Sequence, residues 1–383
     1  MRGLYIHIPF CFSKCYYCDF NSYSNFSSDF KKKYCETILN QLQQILPCLC
    51  TQGLGSYSKI DTIYIGGGTP TSVEIEQLCN IVKCCKQYFG ADENIEITVE
   101  ANPVETGCNQ SLQQLKEAGV NRLSIGAQTF NDDLLKWLGR IHSSKDFFSC
   151  YNNAREVGFD NINVDLIFGV VNQTQILWQD TLKRLVGYSP EHISLYDLTI
   201  EEGSKFYGDF KKGKYKLLTD DERFEMYDYA IKFLSDNGYE HYEISNFAKP
   251  GFSCKHNEIY WKNEEYIGLG AGAWSYLEGK RFSNIRDPYT YVDCILNSKE
   301  VVEYLEDLPL DKVMSESIIL GLRMMRGIDK NNWKIRFKED IKQKFHITIE
   351  ELKNLGLLYE DDSKICLTSK GIRVANEVFV RFV

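Results

Sequence analysis

An α/β fold built on a parallel sheet, with a small, mainly helical, winged end, is what this 383-residue sequence predicts. Three observations point there. Six short apolar, β-branched runs alternate with six longer segments of helical period, the pattern of repeated βα units. The composition, 43% apolar and 25% charged, is that of a globular chain with a sizeable core. From about Asp311 the pattern changes to helical periods followed by a short hairpin.

Strands are expected at 3–8 (GLYIHI), 61–65 (DTIYI), 95–99 (IEITV), 121–126 (NRLSIG), 161–166 (NINVDL) and 191–197 (EHISLYD), each apolar and rich in β-branched residues. Between and after them, helical periods run over about 28–46, 72–88, 109–118, 144–157, 174–187 and 220–237. Six such strands suit either an open doubly wound sheet or an incomplete β/α barrel. Segment 198–310 is mixed and loop-rich, with Gly-rich and aromatic clusters. Beyond it, helices at 311–326, 338–344 and 348–356 lead to the hairpin LLYEDDSKICLT and a last helix from Ser369. The length exceeds one ordinary domain and suits two.

Charge and cysteine usage exclude some classes. Lys plus Arg is 44 and Asp plus Glu is 53, a net charge of −9, which argues against a general nucleic-acid binder. The segment from Asp311 carries 14 basic and 11 acidic residues, too slight an excess for DNA, so packing or protein docking is the better expectation there. No apolar run approaches the ~18 residues of a membrane span, and no signal peptide is evident, so the chain is expected in the cytoplasm. Fourteen cysteines in a long chain without an export signal read as free thiols rather than a disulfide scaffold. Cys35, Cys48, Cys50, Cys79, Cys84, Cys85, Cys150 and Cys294 lie in or beside helical patterns and are expected as small hydrophobes.

Three cysteines differ. The first strand runs into Cys11-Phe12-Ser13-Lys14-Cys15-Tyr16-Tyr17-Cys18, a C-x3-C-x2-C spacing. Four thiolates would close a zinc or iron–sulfur site. Three leave one metal position open, which suits chemistry, unless a distant residue completes a zinc site. His7, inside the first strand, reads as a packed or lining residue.

YIHIPFCFSKCYYCDF, IYIGGGTPT, VEANP, NRLSIGAQTF, NVDLIFG, YEISNFA and HNEIYW occur in this order between residues 5 and 261. In them the chain resembles the radical S-adenosylmethionine superfamily and, within it, the oxygen-independent coproporphyrinogen III oxidase-like family. The resemblance implies a partial, six-stranded β/α barrel of TIM type over 1–200. It implies a 4Fe–4S cluster on Cys11, Cys15 and Cys18, whose fourth iron is chelated by S-adenosylmethionine. The cofactor would meet Gly67, Gly68 and Thr69 after the second strand, Glu100 at the end of the third and Gln128 after the fourth. Arg140 would hold the methionine carboxylate through paired hydrogen bonds. Asp165, near the end of an apolar strand, needs a partner, and the family supplies the cofactor. Tyr5 and Thr199 complete the set implied by the family.

Two departures separate the chain from the oxidase itself. The oxidase motif ends in a further Cys where this chain has Phe20, and only ten residues precede Cys11. Both are the pattern of the family's haem-chaperone branch. So is His256-Asn257-Glu258-Ile259-Tyr260-Trp261, an H-N-x-x-Y-W element associated there with haem, within a 201–310 extension of the barrel. An imidazole at His256 would be an axial haem ligand, with Cys254 the competing donor. The reading is a cytosolic haem chaperone delivering haem to acceptor proteins, respiratory enzymes at a membrane among them. The alternative is the oxidase, decarboxylating two propionates of coproporphyrinogen III. A redox-sensing module touching nucleic acid through residues 311–383 is disfavoured by the complete cofactor set.

Overall fold

The computed structural model describes all residues except 52–58, 93 and 107, and no side chain over 45–51 or at 105 and 106. Six parallel strands form its centre: β1 (Arg2–Ile8), β2 (Thr62–Gly67), β3 (Glu96–Ala101), β4 (Arg122–Gln128), β5 (Ile162–Phe168) and β6 (His192–Asp197). They pair in chain order. Helices Ser28–Thr51, Ile75–Tyr88, Asn109–Ala118, Ser144–Glu156 and Gln175–Tyr188 make the connections. Strand and helix positions agree with the sequence reading to within a few residues.

The sheet is larger than expected. On the β6 edge lie two antiparallel strands, β7 (Glu240–Glu243) and β8 (Asn246–Ala248). On the β1 edge, β9 (Glu265–Leu269) adds a seventh parallel strand, followed by antiparallel β10 (Trp274–Leu277), β11 (Lys280–Asn284) and β12 (Val302–Asp307). Among the described residues the sheet thus has twelve strands in the order β12-β11-β10-β9-β1-β2-β3-β4-β5-β6-β8-β7, and its two ends do not pair. The region read as a loop-rich extension therefore supplies both margins of the sheet.

Alternation along the strands decides what each face does. Leu4, Ile6, Ile8, Ile63, Ile65, Ile97, Val99, Leu123, Ile125, Val164 and Ile193 join the helices in one core. The intervening positions are largely polar: Tyr5, Tyr64, Thr98 and Arg122 stand in register across β1–β4, and Ser124, Asn163 and His192 across β4–β6. Parallel strands buried on both faces normally read as continuous apolar runs. A polar second face points to a cavity that holds ligands or water rather than a packed barrel centre. Of the cysteines expected as small hydrophobes, Cys35, Cys79, Cys85, Cys150 and Cys294 are buried and Cys84 is half-buried. Cys48 and Cys50 lie outside the described side chains.

The C-terminal region has its own core, including Met314, Ile318, Trp333, Phe345, Ile349 and Phe379. Its helices are Leu310–Gly321, Lys330–Phe337 and Ile341–Asn354, the last kinked at Phe345 where two separate helices were expected. The hairpin forms as β14 (Leu358–Glu360) and β15 (Lys364–Leu367), joined by the short β13 (Ile328–Asp329), and helix Ser369–Arg373 follows. Gly327 enters β13 with φ +71°, and a Cβ there would lie 2.1 Å from the Ile365 carbonyl oxygen. Gly327→Ala is therefore expected to cost about 2–4 kcal/mol through strain and overpacking, read as a lower urea midpoint. Among the described residues no helix is long and apolar enough to cross a membrane.

Candidate functional site

The C-terminal ends of β1–β6 open on one cavity of about 400 Å³. Active sites of β/α barrels gather at this end because each strand there hands over to a loop. At the end of β1, Phe10 is fully buried against Phe26 and Tyr34 and anchors the start of the cysteine loop. The loop from Cys11 returns to bond Cys11 N–H to the Tyr23 carbonyl (2.9 Å) and Tyr23 N–H to the Pro9 carbonyl (2.7 Å). Tyr16 N–H donates to the Leu138 carbonyl (3.0 Å), so the loop is also fastened across the cavity.

All three thiols of the motif line that cavity, half-buried. Each has a polar neighbour. Thr69 Oγ1 lies 3.7 Å from Cys11 Sγ, Arg140 donates to Cys15 Sγ at 3.4 Å, and Ser22 Oγ lies 3.9 Å from Cys18 Sγ. Burial raises the Cys11 thiol to about 11 and also raises Cys18, each partly offset by its hydroxyl neighbour. Among the described residues no three His, Cys, Asp or Glu side chains converge as they would on a single ion.

The glycine segment after β2 passes directly beneath this loop. Gly68 N–H donates to the Ile8 carbonyl (2.9 Å) and Thr69 N–H to the Phe10 carbonyl (2.8 Å). A Cβ on Gly68 would lie 2.7 Å from the Phe10 carbonyl oxygen and 3.0 Å from Cys11 Sγ. Gly67, at φ +118°, leaves no room for a Cβ beside the His7 ring. Only glycine serves at either place.

Glu100 accepts from the Tyr64 hydroxyl (2.8 Å) and from Gly67 N–H (3.1 Å). Burial nonetheless lifts its carboxyl to about 7, against the pull of those two donors. Gln128 ends β4 at φ +64°, where the register with β5 slips, a strained backbone of the kind found at functional sites. Arg140 also donates to the Gly126 carbonyl (3.1 Å). Asp165 accepts from Asn163 Nδ2 (2.8 Å) and Ser124 Oγ (3.0 Å), and burial raises its carboxyl. Thr199 stands at the cavity edge, its hydroxyl on the Asp197 carbonyl (3.3 Å).

Two expected site residues lie elsewhere. Tyr5 faces the interior from β1, its hydroxyl sharing a hydrogen bond with His7 Nδ1 (2.9 Å), and does not line the cavity. His256 is 1% exposed and absent from the cavity wall. It lies beside Gly3 and Thr62, at the start of β1 and β2, the end of the sheet opposite the cavity mouth. Its Nδ1 bonds Thr62 Oγ1 (2.7 Å), its Nε2 bonds the Tyr260 hydroxyl (3.0 Å), and its ring stacks on Tyr64. With both nitrogens engaged it has no lone pair for an axial haem bond in this conformation. The competing donor, Cys254, is fully buried, and its thiol donates to Glu96. The residue of H-N-x-x-Y-W that does line the cavity is Asn257.

Sequence reasoning missed Arg122, Ser124, Asn163, Ser194 and Tyr196, all on the cavity wall. The signal was present: RLSIGAQ and HISLYD alternate polar and apolar residues where a packed barrel interior would not.

The model of the radical SAM superfamily matches residues 5–185, and that of the HemN C-terminal domain matches 308–374. The chain is 37% identical to the heme chaperone HemW of Bacillus subtilis, covering 100% of this chain and 99% of that protein. It is 35% identical to the heme chaperone HemW of Lactococcus lactis, covering 100% and 97%. In structure it resembles the radical SAM enzyme coproporphyrinogen III oxidase (HemN) of Escherichia coli, with a TM-score of 0.84 at 23% identity, over 100% of this chain and 89% of that one.

Proposed function

The chain belongs to the HemW family of the radical SAM superfamily, and from that premise we propose that it is a cytoplasmic haem chaperone carrying a 4Fe–4S cluster and S-adenosylmethionine. The observation that carries the reading is the cavity. Three thiols, the glycine segment, Glu100, Gln128, Arg140, Asp165 and Thr199 all line it, although they come from seven different strands and loops.

The donor set suits a cluster. A cubane asks each thiolate to reach a different iron, and three thiols on the wall of one cavity can supply them. Arg140 N–H and the hydroxyls of Thr69 and Ser22 approach the three sulfurs, and such donors stabilise thiolates and tune a cluster. When bound, the reduced cluster supplies one electron to the sulfonium of the cofactor. The chain's own part is positioning. Gly67–Thr69 bring backbone close to the methionyl group, Arg140 offers its fork to the carboxylate, and Glu100 and Asp165 offer acceptors to hydroxyls or the amino group.

The name of the HemW relatives supports haem as the ligand, and the reading extends to its transfer to acceptor proteins, respiratory enzymes among them. Phe12 and Phe20, 60% and 63% exposed beside the thiols, give the rim apolar surface on which a flat porphyrin can lie. Phe20 also stands where the oxidase has its further Cys, which disfavours the oxidase reading. Anaerobic reconstitution with two parallel assays tests the proposal. Haem should bind stoichiometrically, and coproporphyrinogen III should not be converted. Stoichiometric protoporphyrinogen formation that disappears with the cluster would restore the oxidase reading.

A further inference from the structure

Inside the barrel, below the Glu100 and Asp165 level, one buried cation among the described residues keeps an unbonded nitrogen. Arg122 is 2% exposed, yet its guanidinium lines the cavity and its Nε has no hydrogen-bond partner. The next strand adds a second orphan. Thr98 is the in-register neighbour of Arg122 across β3–β4, and its buried hydroxyl is also unpartnered. A buried charge without a partner is costly, and chains keep one where something else supplies the partner.

The carboxylates within electrostatic reach of Arg122 do not supply it. Glu96 is spent on the start of helix Lys255–Trp261, accepting from Lys255 N–H and His256 N–H (both 3.1 Å). Glu100 is held by Tyr64 and Gly67, and Asp165 by Asn163 and Ser124. Each of these carboxylates already accepts from other donors, so Glu96 acts on the Arg122 cation through its field, and the Arg122 Nε makes no hydrogen bond.

We propose that the barrel interior is a second binding well, beneath the mouth, in which the Arg122 guanidinium takes the carboxylate of a small ligand. A planar carboxylate offers two oxygens to the guanidinium fork, a match that a lysine could not make. Ser124 and Ser194 line the same cavity, their hydroxyls donating to Asp165 and Asn163, and Thr98 adds an unpartnered hydroxyl beside Arg122 in the strand ladder. The proposal rests on the chaperone reading only in leaving Arg140 and the glycine segment to the cofactor.

The test uses the full chain after anaerobic reconstitution. Acetate, succinate and inorganic phosphate are titrated separately at constant ionic strength, and the melting temperature is followed. Acetate and succinate should raise it by a few degrees at saturation, since a ligand that binds only the folded state stabilises it. Arg122→Gln should abolish the shift and Arg122→Lys should reduce it, while Arg140→Gln should keep it. Circular dichroism checks that each variant is folded, and Arg122→Lys keeps the test informative if Arg122→Gln is not. Equal shifts in wild type and Arg122→Gln, no shift in wild type, or a response to phosphate alone would overturn the proposal. Loss of the shift in Arg140→Gln with retention in Arg122→Gln would also overturn it, by locating the carboxylate at the mouth. Failure of the chaperone reading would show separately, as absent cluster or haem with the carboxylate response unchanged.

Discussion

Cys15→Ala is expected to lose most of its iron on anaerobic reconstitution, falling from roughly four irons per chain to less than one. Cys15 lines the mouth together with Cys11 and Cys18, with Arg140 donating to its sulfur. Removing it leaves a cubane with two protein thiolates, too few to hold it against solvent. It also strips Arg140 of one acceptor, so cofactor affinity should fall with the iron. Cys85→Ala is the control, because that thiol is fully buried in the helix behind the sheet and reaches no cavity. It should reconstitute like wild type, though with some loss of stability from the space left behind. Iron and sulfide analysis with absorption spectra of both variants gives the answer. Full iron content in Cys15→Ala would remove the cluster from this loop and leave the three cysteines without a role.

What could be read in the chain depended on how local the signal was. The cysteine motif and the glycine triplet are contiguous, and their chemistry survives being read without a fold. The parallel strands were legible because each is a short apolar run set off by helical periods. By contrast β9 is five ordinary residues, EYIGL, whose place beside β1 is fixed by a pairing across more than 250 positions. Nothing in its own sequence announces that partner. The polar interior was legible in principle, since Arg122, Ser124, Gly126 and Gln128 occupy alternate positions of one strand. His256 shows the opposite limit. Its motif, in a segment read as loop-rich, suggested an axial haem ligand, but Glu96 accepts the first backbone N–H groups of helix Lys255–Trp261 and fixes its rotation. That rotation turns His256 inward and Asn257 toward the cavity, and no spacing within the motif reveals it.

His256→Ala is accordingly expected to lose about 3–5 kcal/mol of stability and to keep its haem affinity. The imidazole packs against Gly3, where a Cβ would come within 3.0 Å of it, and stacks on Tyr64 at 5.0 Å. Truncation empties that space and leaves the Thr62 and Tyr260 hydroxyls facing each other without a partner. The pH dependence separates this packing role from ligation. Burial first, and the Arg122 charge second, lower the His256 pKa from 6.5 to about 3. The folded state therefore holds the ring neutral while the unfolded chain takes up a proton below about 6.5. Between those values the unfolded state binds more protons, so this contribution to stability is complete above pH 6.5 and is lost as pH falls toward 3. His256→Gln keeps a polar side chain but cannot titrate. Between pH 6.5 and 5, wild type should lose stability more steeply than His256→Gln, by up to one proton's worth of slope. Urea unfolding across that range, with haem titration of the same samples near neutral pH, measures both. Loss of haem binding in His256→Gln with an unchanged urea midpoint and parallel pH curves would return His256 to the role of axial ligand, and would require helix Lys255–Trp261 to turn outward when haem binds.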